Sequence, residues 1–303
     1  MPIKIQNDLP ARAALESENI FVMDETRAMT QDIRPLQILI LNIMPVKDDY
    51  ETQLLRALSN TPLQVEVTFL NVSTHESTHT SVNHLNKFYH HFGEVKNRHF
   101  DGMIITGAPV EHLSFEEVEY WEELCSIMEW TKTHVTSTFH ICWGAFAGMY
   151  YHYGIPKVDT KEKLSGVYLH RVLDRKTPLV RGFDDVFYAP ESRYTGVRTE
   201  DVEAVEELTI LADSERGGVF LAQDEGARKI FLFGHPEYDR MSLNAEYERD
   251  LGRGLNPSVP ENYYDHDDPA FTPLLTWRCH AFALYSNWLN YCVYQVTPYD
   301  LEK

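Results

Sequence analysis

The sequence predicts an α/β protein with a mostly parallel central sheet and flanking helices. Three observations carry this. Short apolar runs end abruptly at glycine or proline, each is followed by a stretch with helical spacing, and the two alternate through the first half of the chain. Strands joined by crossover helices pair in parallel, and a strand covered on both faces reads as an unbroken apolar run.

The elements follow in order. LQILILNIMP (36–45) reads as a central strand ended by Pro45, and DDYETQLLRALSN (48–60) as the helix after it. VEVTFLNV (65–72) alternates and is rich in β-formers; FDGMIITGAP (100–109) is a second buried strand. FEEVEYWEELCSIMEWTKT (115–133) predicts an amphipathic helix whose acidic start suits the helix dipole. VTSTFHIC (135–142) is the next strand and GAFAGMYYHY (144–153) the next helix. The middle third, about 160–233, reads as shorter strands with turns, among them GVYLHRVL, LTILADS, GGVFLAQD and KIFLFG. A proline- and aspartate-rich connection (253–273) leads to a long closing helix over 272–296. No internal repeat, low-complexity tract or flexible linker interrupts the 303 residues, so 1–303 is expected to form one domain.

Composition bounds the function. Apolar residues make up 43% and charged residues 24%, enough for a core without staples. The net charge of −19 argues against nucleic acid or an anionic membrane surface as partner. The start, MPIKIQNDLP, has no apolar h-region, and no run of about 18 apolar residues occurs, so a cytoplasmic location is expected. The four cysteines, at 125, 142, 279 and 292, show neither a CxxC nor a Cys/His zinc pattern, so no metal site is expected.

Ligands on parallel sheets collect at the carboxyl ends of strands. Those ends hold NIMPVKDD, TGAPVE and HICWG. Cys142 lies between a strand and a helix, where helix-start N–H groups favour a thiolate. Small residues follow at Gly144, Ala145, Ala147 and Gly148 and permit a tight turn, the logic of a nucleophile elbow. The N–H of Trp143 is a candidate oxyanion donor. Taken alone, the stretch is equally compatible with a buried core thiol. FGHPEYDR (233–240) favours the nucleophile: His235 follows a strand and Glu237 lies two residues on, and a histidine oriented by a carboxylate is the usual base for a cysteine. Cys125, Cys279 and Cys292 lack a glycine turn or neighbouring base and are expected to be structural.

A cysteine at an elbow followed about ninety residues later by His-Pro-Glu resembles the class I glutamine amidotransferase fold, a flavodoxin-like arrangement. The glutaminase motif is Gly-x-Cys-x-Gly followed by His-Gln. Here His140 replaces the first glycine and Ala145-Phe146 replace His-Gln, so glutamine hydrolysis is not expected. A resemblance spanning nearly the whole chain is to the homoserine O-acyltransferase family of methionine biosynthesis. It is carried by MPIKIQNDLPA, LNIMPVKDDYETQLLRAL, TGAPVE, FHICWGAFAG, KLSGVYLHRV, PESRYTGV, FGHPEYDR, AEYERDLGRG, NYYDHDDP and NWLNYCVYQVTPYDL.

The resemblance implies transfer of an acyl group from acyl-CoA to the hydroxyl of L-homoserine. Cys142 would carry the acyl group as a thioester, His235 would be the base and Glu237 its orienting partner. Lys163, Ser192 and Arg249 would bind homoserine, Arg249 clamping its carboxylate. Without the resemblance, Lys163 and Arg249 read as solvated surface cations and Ser192 as a turn residue. Lys47 is expected near the site with an unassigned role. Glutamate at the position of Glu111 goes with acetyl donors in the family and glycine with succinyl donors. The physical account is repulsion of a succinyl carboxylate, roughly 4 kcal/mol at about 4 Å and an effective dielectric near 20. The bland alternative is that Glu111 caps the helix starting near 115. The expectation is therefore an enzyme with acetyl-CoA as co-substrate, no bound cofactor and a homodimeric assembly. A succinyltransferase with the same triad, or a catalytically silent binding module on the same fold, are the alternatives.

Overall fold

The structure, a computed structural model, describes residues 3–6, 8–18, 22–23, 34–74 and 80–297. The chain ends of the family-like stretches, residues 1–2 and 298–303, lie outside the described residues. The strands in chain order are β1 (Ile3–Lys4), β2 (Val22–Met23), β3 (Leu36–Leu41), β4 (Val65–Asn71), β5 (Tyr89–His91), β6 (Phe100–Ile105), β7 (Val135–Ile141), β8 (Val158–Val172), β9 (Val186–Gly196), β10 (Leu208–Ser214), β11 (Gly218–Asp224) and β12 (Lys229–Leu232). They form one sheet in the order β2-β1-β4-β3-β6-β7-β12-β11-β10-β8-β9, with β5 beside β4. Pairings from β2 across to β12 are parallel. Those from β12 on to β9 are antiparallel.

The unbroken apolar strands have the reason expected of them. In β3, Ile38 and Ile40 enter a core layer with Leu54, Leu55 and Leu58 of the helix Lys47–Leu58 and with Leu284 and Trp288 near the C-terminus. Leu39 and Leu41 enter the opposite layer with Leu124, Ile127 and Met128 of the helix Trp121–His134 and with Phe146 and Met149 of the helix Trp143–Tyr153. Both faces are buried, so alternation disappears from the sequence.

Three expectations needed correction. The helix expected over 115–133 begins at Trp121. Ahead of it, Phe115–Glu117 is a 3₁₀ turn closed by a Ser114/Glu117 capping box, after which Val118 is extended. This break lets Phe115, Val118 and Tyr120 all reach the core, which a continuous helix would not allow. The closing helix is Arg278–Asn287, continued by a π-helical stretch, Trp288–Tyr294; its expected start is instead extended, with Pro273 bridged to Tyr264. In the middle third, GVYLHRVL belongs to the 15-residue β8, paired along its length with β9. PESRY, read as turn-like, lies inside β9, and Ser192 is buried there. Polar residues in PESRY hide the strand: Ser192 faces the cleft, while Glu191 and Arg193 are buried as an ion pair.

Candidate active site

At the end of β7 the chain turns at Cys142 into the helix Trp143–Tyr153. Cys142 holds φ 51° and ψ −117°. A non-glycine residue in such a region stores about 1–3 kcal/mol and is found disproportionately at functional sites. The turn needs glycine at 144: a Cβ there would lie 2.6 Å from Thr106 O and 2.7 Å from Ile105 O. A Cβ on Gly107, in the loop after β6, would lie 3.2 Å from Cys142 Cβ and 3.6 Å from Trp143 N. Gly107 therefore keeps open the space in front of the Trp143 N–H, where an oxyanion donor has to be accessible.

Sheet register brings His235 to Cys142. Ile141 of β7 pairs with Leu232 of β12, and the Cys142 N–H donates to Leu232 O at 2.7 Å. Three residues after β12, the His235 N–H donates to Pro190 O at 2.9 Å. Cys142 and His235 line the same cleft, and each is the other's leading charge partner. His235 Nδ1 lies 2.7 Å from Glu237 Oε1, which leaves Nε2 to take the thiol proton. Burial pushes the Cys142 thiol up, His235 pulls it down, and Glu111 adds to the upward push. For His235, burial favours the neutral ring, but Cys142 and Glu237 outweigh it and raise the imidazole well above its ordinary value. The rise at His235 comes first from Cys142 and then from the Glu237 carboxylate held against Nδ1, and it makes the ring a better proton acceptor.

A cleft of about 170 Å³ opens over Cys142, lined by His235, Glu111, Lys163, Ser192 and Arg249 among others. Glu237 stands behind His235, 4% exposed. Lys163 Nζ sits 3.1 Å from Asp250 Oδ2 and 3.4 Å from Glu246 Oε2. Burial opposes its charge, but Glu246 and Asp250 raise its pKa, so it remains a cation. Arg249 contacts Asp250 Oδ1 through Nε at 2.9 Å and Nη2 at 2.8 Å, with 48% of its side chain exposed. Lys163 is not the solvated surface charge of the bland reading, whereas Arg249 is an exposed cation held at the cleft by Asp250. The Glu111 carboxylate accepts from the Tyr194 N–H at 2.6 Å and from the Thr195 hydroxyl at 3.2 Å. The helical cap is made by Ser114 instead.

The profile of the family described as homoserine O-succinyltransferase matches residues 2–299. The chain belongs to this family. A homoserine O-acetyltransferase from Lachnospira eligens is 61% identical over 303 residues, covering all of this chain and 98% of that one. One from Agathobacter rectalis is 63% identical over 300 residues, covering 99% and 97%. One from Geobacillus kaustophilus is 61% identical over 302 residues, covering both chains fully. Among solved structures, a glutamine amidotransferase from Thermotoga maritima aligns with TM-score 0.58 at 11% identity, over 86% of this chain and 99% of that one. Another from Methylobacillus flagellatus aligns with TM-score 0.52 at 11% identity, over 86% and 96%. At such identity the likeness is one of fold, and it is the fold that the elbow and the His-Pro-Glu segment suggested.

In this member of the homoserine O-succinyltransferase family, the departures from the glutaminase motif are core residues. His140 stacks on Phe231 at 4.9 Å, its Nδ1 lies 3.1 Å from Ile230 O, and burial pulls its pKa down to about 4. Ala145 and Phe146 are fully buried. Lys47 does not line the cleft. It is buried beside a neighbouring cavity, donates to Asn42 O, and is lowered by burial to about 8 against the opposing pull of Glu51. No helix among the described residues is long and apolar enough to cross a membrane. Asp48, Glu51 and His84 offer ligand-type atoms within 4.8 Å of one another; His84 Nε2 already lies 2.9 Å from Glu51 and 3.3 Å from Asp48.

Four residues of the site escaped sequence reasoning. Tyr50, from the helix after β3, donates to Glu237 Oε1 at 2.6 Å, and Tyr285 donates to Oε2 at 3.4 Å. Tyr238 stacks on His235 with centroids 4.2 Å apart and donates to Glu246 Oε1 at 2.8 Å. Glu246 also accepts from the Ser192 hydroxyl. Tyr238 adjoins the His-Pro-Glu segment, and Glu246 lies three positions before Arg249, one helical turn; those offsets were the available signals. Tyr50 and Tyr285 had none, because they reach Glu237 only through tertiary packing.

Proposed function

We propose that this protein transfers an acetyl group from acetyl-CoA to the hydroxyl of L-homoserine, giving O-acetyl-L-homoserine and CoA through an acetyl thioester on Cys142. The observation that carries the reading is a cysteine–histidine–glutamate set opening into a cleft whose charges match an amino acid. His235 takes the thiol proton, and the Cys142 sulfur attacks the acetyl carbonyl carbon. The carbon–sulfur bond to CoA breaks, and the proton on His235 passes to the departing thiolate. Homoserine then gives its hydroxyl proton to His235, its oxygen attacks the thioester, and Cys142 leaves and recovers the proton. One thioester is exchanged for another in the first half, so that step is nearly balanced; transfer to an alcohol then runs downhill.

The cleft carries Lys163 and Arg249 against Glu246 and Asp250, a balanced set that suits a zwitterion. Arg249 and Lys163 receive the homoserine carboxylate, and Glu246, anchored by Tyr238 and Ser192, receives the ammonium. Glu111 disfavours a donor with a distal carboxylate, which supports acetyl over succinyl. Product formation of this kind belongs to methionine biosynthesis.

The test is mass-spectrometric mapping after incubation with acetyl-CoA or succinyl-CoA in the absence of homoserine. The expected result is acetyl on Cys142, discharged when homoserine is added. Succinyl there instead would retain the mechanism and overturn the role given to Glu111. No adduct from either donor would overturn the covalent route and favour a silent module.

A further inference from the structure

We propose that the long neutral arm of the acyl donor lies in a second cavity beside the catalytic cleft, with an arm amide hydrogen-bonded to Asn71; this rests on the acyl-thioester reading above. The second cavity, of about 340 Å³, shares Met44, Pro45 and Pro109 with the cleft over Cys142. The two therefore adjoin over the carboxyl ends of β3 and β6, with these three residues between them. A donor must deliver its thioester carbon to Cys142 while the rest of it leaves the cleft by some route.

The chemistry of the walls selects the route. Ile43, Val72, Val110 and Val118 give this cavity mostly apolar walls, with Lys47, Glu117 and Glu119 as its charged members. The arm of a CoA thioester is a chain of methylenes and amides without charge, so apolar walls with a sparse set of polar groups suit it. Asn71 supplies such a group at the end of β4. It is 6% exposed and lines the cavity. A carboxamide on the cavity wall can both donate to and accept from an amide of the occupant, which fixes the occupant's position. Lys47 in the same cavity is already given to Asn42 O. Leu113, 42% exposed, marks the open end, where the charged remainder of the donor meets solvent.

A rival route fits less well. A cavity of about 390 Å³ meets the cleft at Lys163 and is lined by Glu162, Arg193 and Arg216. Its walls are charged, and its entrance is the cation assigned to the homoserine carboxylate. An arm passing there would displace the acceptor's own binding group and would bury charges against methylenes.

The test compares acetyl-CoA with S-ethyl thioacetate, a thioester lacking the arm, by the second-order rate of Cys142 acetylation. Asn71→Leu should slow acetyl-CoA about tenfold and leave S-ethyl thioacetate within about twofold. Val110→Trp, which narrows the cavity from another wall, should give the same selective loss and covers the case in which Asn71→Leu folds poorly. Arg216→Ala should leave both donors unchanged. Equal losses for the two donors, no loss for either, or a selective loss of acetyl-CoA in Arg216→Ala would each overturn the proposal. Wild-type protein acylated by neither thioester would overturn the covalent reading beneath it instead.

Discussion

The thiol of Cys142 lies in an environment that opposes its ionisation, and His235, with a smaller contribution from Arg193, works against this. Burial and Glu111 push it up, and His235 pulls it down. Removing the ring should therefore leave a buried, unreactive thiol. His235→Asn is expected to slow alkylation of Cys142 by iodoacetamide at pH 7 about tenfold or more, since each pKa unit changes the thiolate fraction tenfold. Peptide mapping is needed to read this, because Cys279 is exposed and will also be labelled. Cys125 and Cys292, raised by burial to about 11 and about 12, serve as internal unreactive references. Labelling of Cys142 at an unchanged rate would remove His235 from the role of base. A second residue-scale expectation concerns Glu246. Glu246→Gln should reduce the preference for homoserine over 4-hydroxybutyrate, which lacks the ammonium, by about tenfold to a hundredfold, the worth of a hydrogen bond to a charged group. The rate of Cys142 acetylation by acetyl-CoA should not change, because the acceptor takes no part in that half-reaction. An unchanged preference would mean that Glu246 only props up its neighbours.

Among the elements, β9 is the one whose stability and function are most closely joined. It presents Ser192 to the cleft, takes the Glu111 carboxylate on Tyr194 and Thr195, and carries Glu191 and Arg193 into the interior. Arg193 Nε lies 2.7 Å from Glu191 Oε2, and Arg193 also donates to Thr195 O and Gly217 O. His170 of β8 adds a contact to Glu191 at 3.2 Å. Burial tends to raise the Glu191 carboxyl, but Arg193 and His170 overcome it and hold the pKa below its ordinary 4.5. A depressed carboxylate stabilises the fold above its unfolded pKa, and that contribution is lost as pH falls through the folded value. Arg193→Met leaves Glu191 buried without its cation and should lower unfolding stability by about 3–5 kcal/mol near neutral pH. Urea titration measures it. The loss relative to wild type should shrink as pH falls toward the depressed folded pKa of Glu191, where the carboxyl is protonated in both native states; a loss that does not depend on pH would mean that packing rather than charge holds β9.

For the molecule as a whole, the cleft is built where two halves of one sheet meet. The parallel half supplies Cys142 and the loops after β3 and β6, while the antiparallel half supplies Lys163 and Ser192 from β8 and β9. Glu111 joins the halves, since it leaves the loop after β6 and binds the backbone of β9. Its charge is thus held in place beside Cys142 instead of swinging into solvent. Glu111→Gly should shift the ratio of succinyl-CoA to acetyl-CoA turnover toward succinyl by roughly a hundredfold or more, as expected from repulsion of about 4 kcal/mol partly screened by water. Steady-state kinetics with both donors decide this, and an unchanged ratio would confine Glu111 to bridging the loops.

The sequence by itself determined the parallel half of the sheet, because strands buried on both faces must be continuously apolar. It determined the elbow as well, because only small residues allow a helix to start against the end of β6, where a Cβ on Gly144 would lie under 3 Å from the carbonyls of Ile105 and Thr106. It pointed to His235 and Glu237 because they follow a buried strand at short spacing. The length of β8 and β9 stayed hidden because polar residues break the hydrophobic period from which strands are read: Lys163 and Ser192 at the cleft, and His170, Glu191 and Arg193 paired in the interior. The tertiary structure alone decided that Tyr50 and Tyr285 hold Glu237, that Lys47 lies in the adjoining cavity, and that Lys163 and Arg249 are paired inside the cleft. Those contacts join positions as far as 187 residues apart, and local periodicity contains no term for such distances.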